Sequence, residues 1–187
     1  MTVERDAELA SRLAADLTAG FEAMVLAYQH RLCAFALAMS GEPADAEEVA
    51  QDTFLRAHAA LRRYSADRIR ELKLNAWLHQ IALNVFRNRV RRRSLRLVPM
   101  EPELPVADTT PGPEARALSR AALRELANLV SGLPEQQRSA VVLRCVQGMT
   151  YAEVAAQLEQ PEGTVKSNVH RGLQALRRRA GWLSEVS

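Results

Sequence analysis

Five of the chain's eight prolines, at positions 99, 102, 105, 111 and 113, fall in the single stretch 94–113. Proline fixes φ and removes a backbone donor, so this stretch reads as an extended, semi-rigid linker rather than part of a packed element. Folding must therefore happen on either side of it. The 187 residues divide into a first domain over 1–93, a linker over 94–113 and a second domain over 114–187. Neither side shows strand-like alternation of β-branched residues, whereas apolar residues recur at helical spacing through most of both. The expected fold is all-α, with two small helical domains.

Composition excludes several functions. Hydrophobic residues make up 48% and charged residues 25% of the chain, enough apolar surface for folded cores. No run of about 18 apolar residues occurs, and the first six residues are charged rather than signal-like, so a cytoplasmic protein without membrane insertion is expected. Cys33 and Cys145 lie far apart with no clustered histidine, which supports neither a disulfide nor a metal site; both are expected to be small buried residues. His30, His58, His79 and His170 occupy separate segments, each expected to be a surface or packing residue. With no nucleophile motif or phosphate loop around them, no catalytic residue and no cofactor is expected, and the chain does not read as an enzyme.

In the first domain, Phe21, Met24, Val25, Tyr28, Leu32, Phe35, Ala36 and Met39 form one apolar stripe ended by Gly41 and Pro43. The next helix spans Pro43 to Leu61, with Ala46, Val49, Ala50, Phe54, Ala57 and Leu61 inward and Asp45, Glu48, Asp52 and Arg56 on the other side. A third starts near Asn75, taken as its N-cap, and carries Trp77, Leu78, Ile81, Ala82, Val85 and Phe86 into a run of arginines. In the second domain a helix from about Glu114 ends at Ser131-Gly132, and another begins at Leu133-Pro134, with proline at its first position, and is closed by Gly148. Thr150 to Glu153 is a capping-box pattern opening a short helix. After Pro161 a last helix sets Val165, Val169, Leu173 and Leu176 against Thr164, Ser167, Asn168, Arg171, Gln174 and Arg178 on its opposite side.

The distribution of charge carries more information than its net of +3. Residues 1–60 hold 4 basic and 10 acidic side chains, and residues 61–98 hold 11 basic and 2 acidic. Residues 161–187 hold 5 against 2. Two basic segments inside helical patterns point to a polyanion, since phosphate binding depends on local basic density.

Residues 150–178 have the form of a helix-turn-helix. The major groove admits one helix, so short or hydrogen-bonding residues near its start suit base edges, and basic residues suit phosphates. Ser167, Asn168 and Arg171 fit the first role, with Arg171 able to grip a guanine by two bonds; Lys166, His170 and Arg177 to Arg179 fit the second. On the third helix of the first domain, Trp77, Asn84 and the arginines Arg87, Arg89 and Arg91 to Arg93 share neighbouring turns. An aromatic and an amide can hold an unstacked base while basic groups follow the opened strand. Trp77 also has a reading as plain core, and Asn84 as a solvent-facing residue. The arginines repel one another unless an anion is nearby.

These residues resemble the extracytoplasmic-function sigma factors of RNA polymerase. The segment from Asp45 to Ala57 is similar to region 2.2, Trp77 to Asn84 with the following arginines to regions 2.3 and 2.4, and Leu133 to Arg138 with residues 150–167 to region 4. The resemblance implies that Asp45, Glu48, Gln51, Asp52 and Leu55 bind the β′ clamp helices of core RNA polymerase. It implies that Trp77, Asn84, Arg87, Arg91, Arg92 and Arg93 hold the melted −10 element of promoter DNA. Thr164, Lys166, Ser167, Asn168, Arg171 and Arg178 would read the −35 duplex, with the second domain on the β flap. An anti-sigma factor is the further partner implied. Two features depart from the family pattern: residues 67–74 are longer and more basic than its usual short loop, and His79 stands where a tyrosine is common.

A different class, an autonomous helix-turn-helix regulator, predicts tight duplex binding by the purified chain as a symmetric dimer. The sigma-factor reading predicts weak promoter binding that rises only when core polymerase is added, which a gel-shift titration with and without core enzyme distinguishes.

Overall fold

The computed structural model describes residues 2–95 and 124–185, and every regular element among them is helical. The first domain comprises α1 (Thr2–Ala15), α2 (Leu17–Ser40), α3 (Pro43–Leu61), α4 (Ala66–Arg70) and α5 (Leu74–Leu95). The second comprises α6 (124–131), α7 (Glu135–Val141), a π-helical segment (Val142–Val146), α8 (Tyr151–Leu158) and α9 (Glu162–Glu185). The all-α expectation therefore holds. Helix α5 continues through Ser94 and Leu95, two positions read from the sequence as linker. The rest of the linker, and the helix start expected near Glu114, lie outside the described residues.

Helix α2 is the spine of the first domain. Asp16 caps its start, accepting the backbone N–H of Thr18 at 2.9 Å and of Ala19 at 3.1 Å. Gly41, at φ +79°, ends it in the left-handed conformation and returns its N–H to the Leu37 carbonyl. Between these caps Met24, Tyr28, Leu32, Phe35, Ala36 and Met39 are buried, the stripe anticipated from spacing. Helix α1, not anticipated, buries Leu9, Ala10 and Leu13. It approaches α2 so closely that a Cβ at Gly20 would meet the Leu13 backbone at 2.6 Å.

The start of α5 corrects an expectation. Asn75 is not its N-cap; the helix begins at Leu74, and the Asn75 N–H donates to the Asp6 carboxylate of α1 at 3.2 Å. The other Asp6 oxygen accepts from the Tyr28 hydroxyl, and burial together with that bond holds the phenol protonated well past its ordinary range. A carboxylate remote in sequence thus satisfies the orphan donor that a local cap would have taken.

Below this cap, Leu74, Leu78, Ala82, Leu83, Val85 and Phe86 bury the inner side of α5. His79 shares that core. Its ring meets Phe35 edge-on at 5.3 Å between centroids, its Nδ1–H donates to the Asn75 carbonyl at 2.7 Å, and its Nε2 is buried with no partner. The tautomer follows from that bond, since Asn75 offers only an acceptor.

In the second domain Pro134 is the N-cap of α7 rather than its first residue. The π-helical turn that follows carries one more residue per closing bond than an α turn, and Cys145 lies within it. Cys145 is exposed and Cys33 half-buried, so the expectation that both thiols are buried is corrected. Gly172 of α9 crosses α7 where a Cβ would sit 2.6 Å from the Val141 side chain, so only glycine permits that crossing.

The two domains meet along a polar seam. Arg31 and Asn75 donate to the Gln147 carbonyl at 3.1 and 3.4 Å, Gln157 donates to the Ala76 carbonyl, and Arg87 pairs with Glu135 at 3.4 Å.

Burial drops the His79 imidazole to about 4. The unfolded chain therefore binds a proton between about pH 6.5 and pH 4 that the folded chain does not, and stability falls as pH drops through that window, by up to ~3 kcal/mol. Urea unfolding of the parent and of His79→Leu at pH 7 and pH 4.5 should show a parent-specific loss on acidification; parallel losses in both chains contradict it.

Candidate nucleic-acid interface

The outer side of α5 and the α3–α4 joint form one polar face. Asn84 is exposed on α5, two turns beyond half-buried Trp77. The Trp77 indole lies 6.2 Å from the Tyr64 ring between centroids, at 55° between planes, and the Arg68 guanidinium sits 4.0 Å from the Tyr64 ring centre. Trp77 and Tyr64 both pack against the core, in line with the core reading of Trp77. Sequence reading did not single out Tyr64 or Arg68. The usable signal was Ser65, whose hydroxyl accepts the Arg68 N–H at 3.3 Å and starts α4 inside a stretch taken for loop. Helix α4 then presents Arg68 and Arg70 to solvent.

The arginines of α5 divide by partner. Arg93 donates to both oxygens of Asp45, through Nη2 at 2.7 Å and through Nη1, and Arg89 reaches the same carboxylate at 3.3 Å while also pairing with Glu48. Arg87 pairs with Glu135 at 3.4 Å, and Arg91 donates to the Asn88 side chain at 3.1 Å. Arg92 is exposed and has no ion pair among the described residues.

Two expectations change here. Asp45 was placed outward with the other acidic residues of α3, yet its side chain is only 10% exposed and faces α5. The cause is electrostatic: a carboxylate so nearly buried persists only when paired, and Arg89 and Arg93 supply the charge. Asp45 therefore does not share a surface with Glu48, Gln51, Asp52 and Leu55, which are exposed, Leu55 to 69%. Arg93, in turn, is ion-paired to Asp45 while its side chain stays 63% exposed.

The second face is the helix-turn-helix. Thr150 accepts the Glu153 N–H at 3.2 Å, and Glu153 accepts the Thr150 N–H at 2.9 Å, completing the capping box at the start of α8. That backbone bond holds the Glu153 carboxyl below its ordinary range. The turn passes through Glu159 at φ +53°, a left-handed conformation uncommon outside glycine and asparagine, before α9 begins. Thr164, Lys166, Ser167, Arg171 and Arg178 are exposed along α9. Lys166 lies 2.8 Å from Glu162 and 5.5 Å from the Tyr151 ring centre, and the Glu162 bond raises its pKa.

Asn168 is a correction. It was expected among the exposed residues of α9 but is 5% exposed, with its amide 3.4 Å from the Gln160 side chain. Positions 165, 168, 169 and 172 fall on one helical face, so Asn168 points back at the turn and braces it.

Two family models match the chain, Sigma-70 region 2 over residues 24–96 and Sigma-70, region 4 over residues 123–176. Among curated relatives, the ECF RNA polymerase sigma factor SigM of Mycobacterium tuberculosis is 36% identical over 184 residues, covering 96% of this chain and 86% of that protein. The RNA polymerase sigma-H factor of Pseudomonas aeruginosa is 28% identical over 185 residues, covering 94% of each. The ECF RNA polymerase sigma factor SigE of Mycolicibacterium smegmatis is 33% identical over 161 residues, 84% of this chain and 60% of that protein, so the match spans somewhat less than two thirds of that relative's length. Among solved structures, CnrH in complex with the cytosolic domain of CnrY superposes with a TM-score of 0.67 at 25% identity, over 97% of this chain and 99% of that one. The sigma factor RpoE in complex with the anti-sigma factor NepR, from Bartonella quintana, gives 0.65 at 26% identity, over 84% and 94%.

Thr150→Ala removes one half of the capping box and should destabilise the second domain by ~1 kcal/mol in denaturant unfolding. Glu153→Gln, which keeps the reciprocal acceptor, should lose less; equal stability of Thr150→Ala and parent contradicts the assignment.

Proposed function

Because the chain belongs to the extracytoplasmic-function (ECF) RNA polymerase sigma factors, we propose that its two polar faces divide promoter recognition between opened and closed DNA. The observation that carries this reading is that Asn84 on α5 and Arg171 on α9 are both exposed, each beside further basic side chains, on two separate helical modules.

Glu48, Gln51, Asp52 and the exposed Leu55 dock α3 on the β′ clamp helices of core polymerase, while the second domain rests on the β flap. On the −10 element, Asn84 hydrogen-bonds an unstacked base of the non-template strand, and the Trp77, Tyr64 and Arg68 stack offers aromatic and guanidinium planes beside it. Arg91 and Arg92 accompany the strand's phosphates. Base capture offsets an unstacking cost of a few kcal/mol, so the sequence read is the one whose bases fit.

On the −35 element, α9 lies in the major groove. Thr164 and Ser167 are short enough for the backbone to approach, Arg171 grips a guanine at about 1–3 kcal/mol of discrimination, and Lys166 and Arg178 meet phosphates. No covalent step is needed. The affinity of both faces falls steeply with salt as counterions return to the DNA. An anti-sigma partner fits the same reading, supported by two similar folds, one solved with NepR, described as an anti-sigma factor, and the other with the cytosolic domain of CnrY. Among the described residues no helix is long and apolar enough to cross a membrane.

Run-off transcription with core polymerase on a pool of candidate promoters tests the division. Arg171→Ala should cut initiation about 10- to 100-fold, most where a −35 guanine is present. Asn84→Ala should lower open-complex yield while leaving duplex binding close to parent. Core-independent duplex binding, or loss of the same step in both variants, contradicts it.

A further inference from the structure

Five arginines crowd the end of α5, at 87, 89, 91, 92 and 93. Such a run repels itself unless anions lie near, and the sequence offers nucleic acid as one source. The fold supplies another. Asp45 sits in the first turn of α3, where the helix dipole favours a negative charge, and its side chain is 10% exposed. It accepts two guanidinium nitrogens of Arg93 and is also reached by Arg89 at 3.3 Å. Arg89 and Arg93 are four residues apart, so both project from the side of α5 that meets α3. Arg89 is further bound by Glu48, an exposed residue of α3.

We infer that Asp45 is a positioning residue: it pairs with Arg89 and with the solvent-exposed Arg93, fixing the basic end of α5 against α3 and leaving Arg92 as a DNA-facing charge. This inference rests on the reading of α5 as the −10 face, and it assigns Asp45 a role different from polymerase contact. The partition of the cluster has a measurable consequence. Each arginine that pairs with a phosphate contributes to the dependence of binding on salt, whereas an arginine already neutralised by a carboxylate releases no counterion when DNA arrives. Glu48 adds a link, because the residue that shares Arg89 with Asp45 stands on the surface proposed for polymerase.

The experiment measures binding of a single-stranded DNA oligonucleotide to holoenzyme reconstituted from core polymerase and the full chain, as a function of salt. Arg92→Gln should lower the slope of log K against log salt by ~0.7, the value of one phosphate contact on single strands, while Arg93→Gln should shift it by less than ~0.2. Asp45→Asn should steepen the slope by ~0.7 or more, as the released guanidiniums become available to phosphates. A role confined to stability would move unfolding midpoints without moving these slopes. Equal slope losses for Arg92→Gln and Arg93→Gln overturn the inference, and this comparison stands even if Asp45→Asn does not fold. Loss of core-polymerase binding by a folded Asp45→Asn also overturns it, in favour of a polymerase contact. A parent holoenzyme with no salt-dependent strand binding removes the −10 face reading itself, a result distinguishable from the other two.

Discussion

The carboxylate of Asp45 joins the two helices on which the first domain depends. A charge 10% exposed is stable only where its partners are close and well aimed, and Arg93 meets it with two donors while Arg89 adds a third contact. Its attraction acts across the α3–α5 crossing, on top of the apolar contacts made by Val49, Ala50, Val85 and Phe86 within the same core. Helix α3 carries the face proposed for polymerase and α5 the face proposed for opened DNA. Hydrophobic packing alone is non-directional and would tolerate small rotations of one helix on the other. A bidentate ion pair sets the register.

The two domains reach their polar faces by different means. The first spreads its core over long helices, and α5 is held at one end by the Asp6 cap and at the other by Asp45. The second is smaller and relies on local devices: a capping box, a left-handed residue at the turn and a glycine at a crossing too tight for a Cβ. Each local device contributes on the order of 1 kcal/mol, a large share of the stability a small domain can have. The seam between the domains leaves side-chain oxygens of Asn75, Gln147 and Gln157 buried without partners. Such groups cost free energy when desolvated, and they offset part of the apolar contact that continues across the two domains.

Helix existence was legible because apolar spacing reports it directly. The stripe of α2, the bounds Pro43 to Leu61 and the capping box at Thr150 all follow from patterns within a few residues. What sequence reading missed depends on partners remote in the chain or on polar residues inside an apolar face. Asp45 and Asn168 both fall on buried faces by position, beside Ala46 and Val169, yet their side chains argued for solvent. Their partners, Arg93 and Gln160, lie 48 and 8 residues away. Helix α1 was left out although Leu9, Ala10 and Leu13 keep helical spacing, since so short a stripe beside charged residues gives a weak signal. The cap of α5 by Asp6, 69 residues upstream, has no local trace.

A double-mutant cycle on unfolding free energy, built from Asp45→Asn, Arg93→Gln and the pair together, addresses the α3–α5 anchor most directly. If the carboxylate holds α5 in place, the two losses should be non-additive, with a coupling of ~1 kcal/mol or more, allowing for the partial exposure of Arg93. Additive losses, with coupling within ~0.3 kcal/mol of zero, would mean the helices are set by packing alone.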